Sequence, residues 1–173
     1  MTPSLRSLHL KDLERITTLM LLAWKDTVDP RSSGHKLTLE EMTSIFVKDS
    51  NTVGWVLEQG EKLVASVYVT PGAGVWWVRG LAVHSDARAQ GLARRLLEHI
   101  EAQAQGSGVL ELRLGVGQYN RLPLPMYQKM GYAPVPDVVY PFGVQTLSSS
   151  QVMRKVLERQ APQNPEFKTE NPK

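Results

Sequence analysis

Three blocks rich in β-branched and aromatic residues follow one another, Val53–Leu57, Leu63–Val69 and Val75–Val83, divided by Gln59-Gly60-Glu61 and by Pro71-Gly-Ala-Gly74. Both dividers are turn chemistry, and links this short join antiparallel neighbours, because a parallel return needs a crossover of a dozen or more residues. A chain with such a centre is bound to build its sheet around a three-stranded meander. Helical periods flank it on both sides. Asp12 precedes Leu13, Ile16, Leu19, Met20, Ala23 and Trp24, an apolar stripe with an acidic start. Thr38-Leu-Glu-Glu41 reads as a capping box, and Leu39, Met42, Ile45 and Phe46 supply the buried stripe of a second helix.

After the meander, Leu92, Ala93, Leu96, Leu97, Ile100 and Ala104 recur at helical spacing before Gly106 and Gly108. Val109–Val116 reads as a strand, Met126–Met130 as a short helix ended by Gly131, and Gln151–Leu157 as a last strand. Pro123 suits a helix start, whereas Pro125 limits how early regular helix begins. Leu5–Leu10 alternates enough to open the sheet. The order β-α-α-β-β-β-α-β-α-β(-β) predicts an α/β (α+β) domain with one mixed, mostly antiparallel sheet of six to seven strands, flanked by about four helices. At 173 residues the chain fits one domain, expected over 1–160, with a disordered tail over 161–173.

Composition narrows the function classes. With 42% hydrophobic and 21% charged residues the chain is ordinary for a globular protein. It has no cysteine, which excludes disulfides and a cysteine nucleophile and fits a reducing, cytoplasmic setting. The four histidines, His9, His35, His84 and His99, have no ligand spacing, so no metal site is expected. The longest apolar run, Leu19–Trp24, is too short for a membrane span, and Lys11, Asp12, Glu14 and Arg15 stand where a secretory leader would be apolar. The formal charge of +3 is uneven. Residues 154–173 carry five Lys/Arg against three Glu, leaving 1–153 with 15 basic and 14 acidic residues, a net of +1. A nearly neutral body offers no face for a phosphate backbone, so nucleic acid is disfavoured as the main partner.

Chemistry concentrates in Leu81-Ala-Val-His-Ser-Asp-Ala-Arg88-Ala-Gln-Gly91-Leu-Ala93-Arg94, where a strand enters a tight polar turn and a helix starts at once. A helix N-terminus presents free N–H groups and a positive dipole end, which together favour an anion. Gly91 lets backbone approach that anion without a Cβ, and Arg88 and Arg94 add cationic donors. An ordinary strand–turn–helix with solvated arginines is the plain alternative. The segment is neither a P-loop nor GxGxxG.

Arg88-Ala-Gln-Gly91-Leu-Ala93 resembles the R/Q-x-x-G-x-G/A signature of the GNAT superfamily of acyl-CoA-dependent N-acetyltransferases, and Leu81-Ala-Val83 its fourth strand. Downstream, Asn120, Tyr127, Lys129, Gly131 and Tyr132 are similar to the family's N-x6-Y-x-K-x-G-F/Y. The resemblance implies a sheet splayed in the middle with acetyl-CoA in the cleft. By the same resemblance, Leu81, Ala82 and Val83 pair with the pantetheine arm. Arg88, Ala89, Gln90, Gly91, Leu92, Ala93 and Arg94 cradle the pyrophosphate. Asn120 bonds the pantetheine, and Tyr127 protonates the departing thiolate; a buried core tyrosine is the plain reading of that residue. Homodimers are common in the family.

Two departures stand out. Trp76-Trp-Val-Arg79 lacks the strand glutamate many members use as a base, and Pro123 and Pro125 replace the usual helix start after the asparagine. His35 is a base candidate by location, as are Glu58 and Glu111 through water, although loop histidines and edge-strand glutamates ordinarily do nothing catalytic. The expected activity is transfer of acetyl from acetyl-CoA to a primary amine, small-molecule or peptide, by direct attack in a ternary complex. An acyl-CoA-binding module without turnover, or a nucleic-acid- or ribosome-associated protein using the basic tail, are the alternatives.

Overall fold

The computed structural model describes residues 1–26, 31, 36–49, 51–143 and 150–159. Within them the meander forms as β2 (Val53–Gln59), β3 (Lys62–Pro71) and β4 (Val75–Val83), each antiparallel to the next. β1 (Ser4–Ser7) pairs with the outer edge of β2, ending earlier than the alternation to Leu10 suggests because a 3-10 turn takes over at Leu10–Asp12. On the other side come β5 (Glu111–Gly117), β7 (Ser150–Val156) and the two-residue β6 (Ala133–Pro134), in the order β1-β2-β3-β4-β5-β7-β6. Seven strands result, with β4 and β5 the parallel pair.

The helices cover both faces. α1 (Leu13–Lys25) and α2 (Leu39–Lys48) bury Ile16, Met20, Met42 and Phe46 against Val56, Tyr68 and Ala82. α3 (Leu92–Gly106) buries Leu96, Leu97 and Ile100 against Leu57, Val67, Val69 and Leu112 on the opposite face. Each such fully buried leucine or isoleucine contributes about 1.5–3 kcal/mol of transfer free energy. α4 (Leu124–Lys129) lies on the α3 side, through Tyr127. Pro125 fits inside its first turn, where a missing N–H removes no helical bond.

The capping box at α2 forms as read: Thr38 Oγ1 accepts from the Glu41 N–H at 3.2 Å, and Glu41 Oε2 from the Thr38 N–H at 2.8 Å. Leu39, expected in the buried stripe, is instead 43% exposed, since it occupies the first helical position ahead of the packed Met42 and Phe46. Trp76 and Trp77 do point to opposite faces. Trp76 packs on the α3-side core, and Trp77 meets Tyr140 and Phe142 edge-on at 5.7 and 5.8 Å. The expected tail, 161–173, lies outside the described residues, as does His35.

Candidate functional site

β4 and β5 pair only at Val75, Trp76 and Trp77 with Glu111, Leu112 and Arg113. Beyond that point the sheet opens. A cleft of about 440 Å³ fills the gap, lined by Val78 to Val83 on one strand and Leu114 and Gly115 on the other. From Val78 onward no strand among the described residues pairs with β4 on its β5 side, so its backbone edge is open to an extended ligand.

A bulge helps direct that edge. Ser66 pairs with Ala82 and Tyr68 with Arg79, so β4 carries one extra residue between the two pairs. Gly80 takes it up at φ +63, where a Cβ would stand 2.1 Å from the Tyr68 ring. The insertion also switches the strand's parity. Trp76 and Val78 meet the α3-side core before it, and Leu81 and Val83 after it. A glycine inside a β pattern is the sequence signal for such a bulge, and the reading of Val75–Val83 as one unbroken strand passed over it.

At one end of the cleft β4 runs through a 3-10 turn (Ser85–Ala87) into α3. Ala89 at φ 58 and Gly91 at φ 71 are both left-handed. Ala89 is the only non-glycine with positive φ among the described residues. Alternating signs of φ turn successive N–H groups toward one side, the arrangement of an anion-binding nest. The N–H groups of Leu92, Ala93 and Arg94 head α3 with no side-chain cap, and the first helical bond of this end runs from Arg95 to the Gly91 carbonyl. A Cβ on Gly91 would meet nothing within 4 Å, so its space stays open to a ligand. The turn therefore suits a pyrophosphate.

Of the residues expected at the site, Leu81, Ala82, Val83, Arg88, Ala93, Asn120 and Tyr127 line this one cleft. The two arginine side chains do other work. Arg88 Nη2 donates to the Ala23 carbonyl at 2.6 Å, tying the turn to the end of α1. Arg94 Nε donates to Glu98 at 2.7 Å on the exposed face of α3, so only its backbone belongs to the turn. Glu58 is engaged by Arg6 at 3.1 Å and Glu111 by Arg113 at 3.0 Å, and neither reaches the cleft. His84 Nδ1 accepts from the Asp86 N–H at 3.2 Å, also outside it.

Tyr127 stands in the cleft wall with its ring edge-on to Tyr132 at 5.8 Å. Burial pushes its phenol well above the ordinary range, and the neighbouring Tyr140 phenol adds to the push. It stays protonated at any working pH. Cleft residues outside the expected site include Trp24, Arg79 and Tyr140. The Tyr140 ring lies against β5, where a Cβ on Gly115 would come within 2.7 Å of it.

A model of the acetyltransferase (GNAT) family matches residues 16–132. The tRNA(Met) cytidine acetyltransferase TmcA of Aeropyrum pernix is 39% identical over 67 residues, 38% of this chain and 9% of that protein. The IAA acetyltransferase of Azospirillum brasilense is 28% identical over 106 residues, 60% of this chain and 66% of that protein. The chain thus spans under two thirds of the length of either relative. The PaiA N-acetyltransferase of Thermoplasma acidophilum, solved with coenzyme A, shares the fold at a TM-score of 0.72 and 19% identity, covering 90% of this chain and 99% of that one. The split seven-stranded sheet is the GNAT fold, and with a family match that runs from within α1 to Tyr132, this chain belongs to the GNAT acetyltransferase family.

Proposed function

We propose that this protein transfers an acetyl group from acetyl-CoA to a primary amine. One observation carries the reading: a single cleft has an uncapped, left-handed anion turn at one end and a protonated, buried phenol in its wall. Ala89 to Arg94 hold the pyrophosphate on backbone N–H groups, with the α3 dipole behind them. The open edge of β4 at Leu81, Ala82 and Val83 and the side chain of Asn120 hold the pantetheine arm, which leaves the thioester facing Tyr127.

The amine attacks the thioester carbonyl carbon directly, forming the C–N bond. The adduct then expels the coenzyme A sulfur as the C–S bond breaks. Tyr127 donates its O–H to that sulfur as negative charge develops on it. The phenol pKa lies above an alkyl thiol's ~8.5, so its main contribution is a hydrogen bond to the leaving sulfur, with the proton completing its transfer as the product forms. The nitrogen's surplus proton leaves to water, and water returns a proton to the Tyr127 oxygen, which restores the phenol. Among the described residues lining the cleft there is no carboxylate or imidazole. Freeing an amine of pKa ~10.4 at neutral pH costs about 4–5 kcal/mol, whereas an α-amine near ~8 costs about 1–2 kcal/mol. This favours an acceptor of low basicity.

The test follows free thiol from acetyl-CoA over a panel of primary amines, alongside calorimetric binding of acetyl-CoA. Amine-dependent thiol release is expected. Tight binding with no release from any amine would instead describe an acyl-CoA-binding module.

A further inference from the structure

Arg79 is placed unlike the paired arginines of this fold. Arg6, Arg15, Arg94 and Arg113 each face a carboxylate within 4.0 Å. Arg79 is half-buried in the cleft wall and has no carboxylate partner among the described residues. It is nonetheless firmly held. Its guanidinium stacks over Phe142 at 3.8 Å and lies 5.3 Å from the Tyr68 ring centre. Its Nη1 donates to Thr70 Oγ1 at 3.2 Å. A guanidinium only donates, so the Thr70 hydroxyl accepts there, and it shares a second hydrogen bond with Thr52 Oγ1, 3.1 Å away, in which either hydroxyl can donate. Both threonines are buried, and the chain Thr52–Thr70–Arg79 fixes the cation's position.

We propose that Arg79 receives a carboxylate of the acceptor, and that the acceptor is a small, amino-acid-like primary amine. The inference rests on the acetyltransferase reading above and names the substrate class of the same cleft. A partly desolvated cation with no counter-charge is unfavourable, and a ligand carboxylate removes that penalty with two parallel N–H···O bonds. A single guanidinium matches a monoanion. The other cation lining the cleft, Arg88, is committed to the Ala23 carbonyl at the far end.

Arg79 also neighbours the reacting centre: its charge acts on the Tyr140 phenol, which in turn acts on Tyr127. A cation in a cleft wall without carboxylates repels a polyamine. The apolar wall at Trp24, Leu122 and Met126 suits the acceptor's side chain.

The experiment compares amines matched except for the carboxylate, L-phenylalanine with phenethylamine and L-leucine with isopentylamine, and adds an amidated tripeptide beginning with phenylalanine. Thiol release is measured for the wild type, Arg79→Met and Arg79→Lys, with rates referred to the free-base amine and acetyl-CoA affinity measured by calorimetry. The wild type is expected to favour the carboxylate member of each pair by ~10²-fold or more in kcat/KM. Arg79→Met should collapse that preference through KM, and Arg79→Lys should restore part of it. Four results overturn the proposal: equal or better use of the decarboxylated amines, a preference for the amidated peptide, a carboxylate preference that survives Arg79→Met, or no release from the amino acids by a wild type that binds acetyl-CoA. Should Arg79→Met fail to fold, the wild-type pairs and Arg79→Lys still decide. A wild type that does not bind acetyl-CoA overturns the underlying reading of the cleft, and calorimetry tells that failure from the others.

Discussion

In the proposed reaction Tyr127 and Gly91 act through different physics. Tyr127→Phe deletes one oxygen and keeps the ring against Tyr132. Acetyl-CoA affinity is expected to move little, while turnover falls by ~10², the low end for a positioned acid because a thiolate leaves tolerably unaided. Steady-state rates beside calorimetry check this, and wild-type turnover in the variant would make Tyr127 a core residue only. Gly91 is needed for its backbone: at φ 71 a side chain is strained by about 1–2 kcal/mol although nothing lies within 4 Å of its Cβ. Gly91→Ala should therefore weaken acetyl-CoA less than ~10-fold. Gly91→Glu puts a negative charge in the anion turn, a juxtaposition worth several kcal/mol, and should weaken it by more than ~10² in a protein that still melts cooperatively. Both positions stood out in the sequence because each belongs to a motif contained in one short segment. Arg79 did not, since its meaning comes from Thr70, Tyr68 and Phe142, three partners from two other parts of the chain.

Among the elements, the junction of β1, β2 and α1 is the most electrostatic. The buried Asp12 carboxylate accepts from Arg6 Nη1 at 2.8 Å, Arg6 Nη2 at 3.0 Å and the His9 N–H at 2.9 Å. Asp12 thus sits at the acidic start of α1 as its sequence position suggests, yet its side chain makes no cap hydrogen bond to that helix. Chiefly through the Arg6 hydrogen bonds, its pKa is pulled down to about 2. The folded state therefore binds this proton less readily than the unfolded chain. The stabilisation is complete above the unfolded value near ~4 and is lost as pH falls toward 2, amounting to about 2 kcal/mol. Denaturant titrations at a series of pH values should show this loss in the wild type. Asp12→Asn should be less stable at pH 7 and lack that share of the acid dependence; identical pH profiles would remove Asp12 from the account. The element pattern itself was readable wherever periodicity and punctuation coincide, as at Thr38–Glu41 and Val75–Val83. It failed at Leu10, where a 3-10 turn replaces the strand, and at Leu39, where helical phase alone does not say which positions find a partner.

For the whole molecule, the cleft joins α1, β4, the α3 turn, β5 and α4, so a ligand that spans it stabilises the fold as one unit. Acetyl-CoA at ~100 times its dissociation constant should add about 2.7 kcal/mol, a rise of about 5–10 °C in Tm for a domain of this size. Gly91→Glu should show little of that rise under the same conditions. Thermal melts with and without acetyl-CoA measure both, and an unchanged wild-type Tm would count against ligand binding across the cleft. The sequence by itself determined the meander, the helical faces and the tight turn ahead of α3, because these depend on hydrophobic period, turn chemistry and backbone freedom within a few consecutive residues. Tertiary structure alone decided where the sheet splits, that Arg88 ties the turn to the end of α1 while Arg94 pairs with Glu98, and that Arg79 shares a wall with Tyr127. Those outcomes depend on which distant groups arrive as neighbours once both faces of the sheet are packed, and no local spacing encodes that choice.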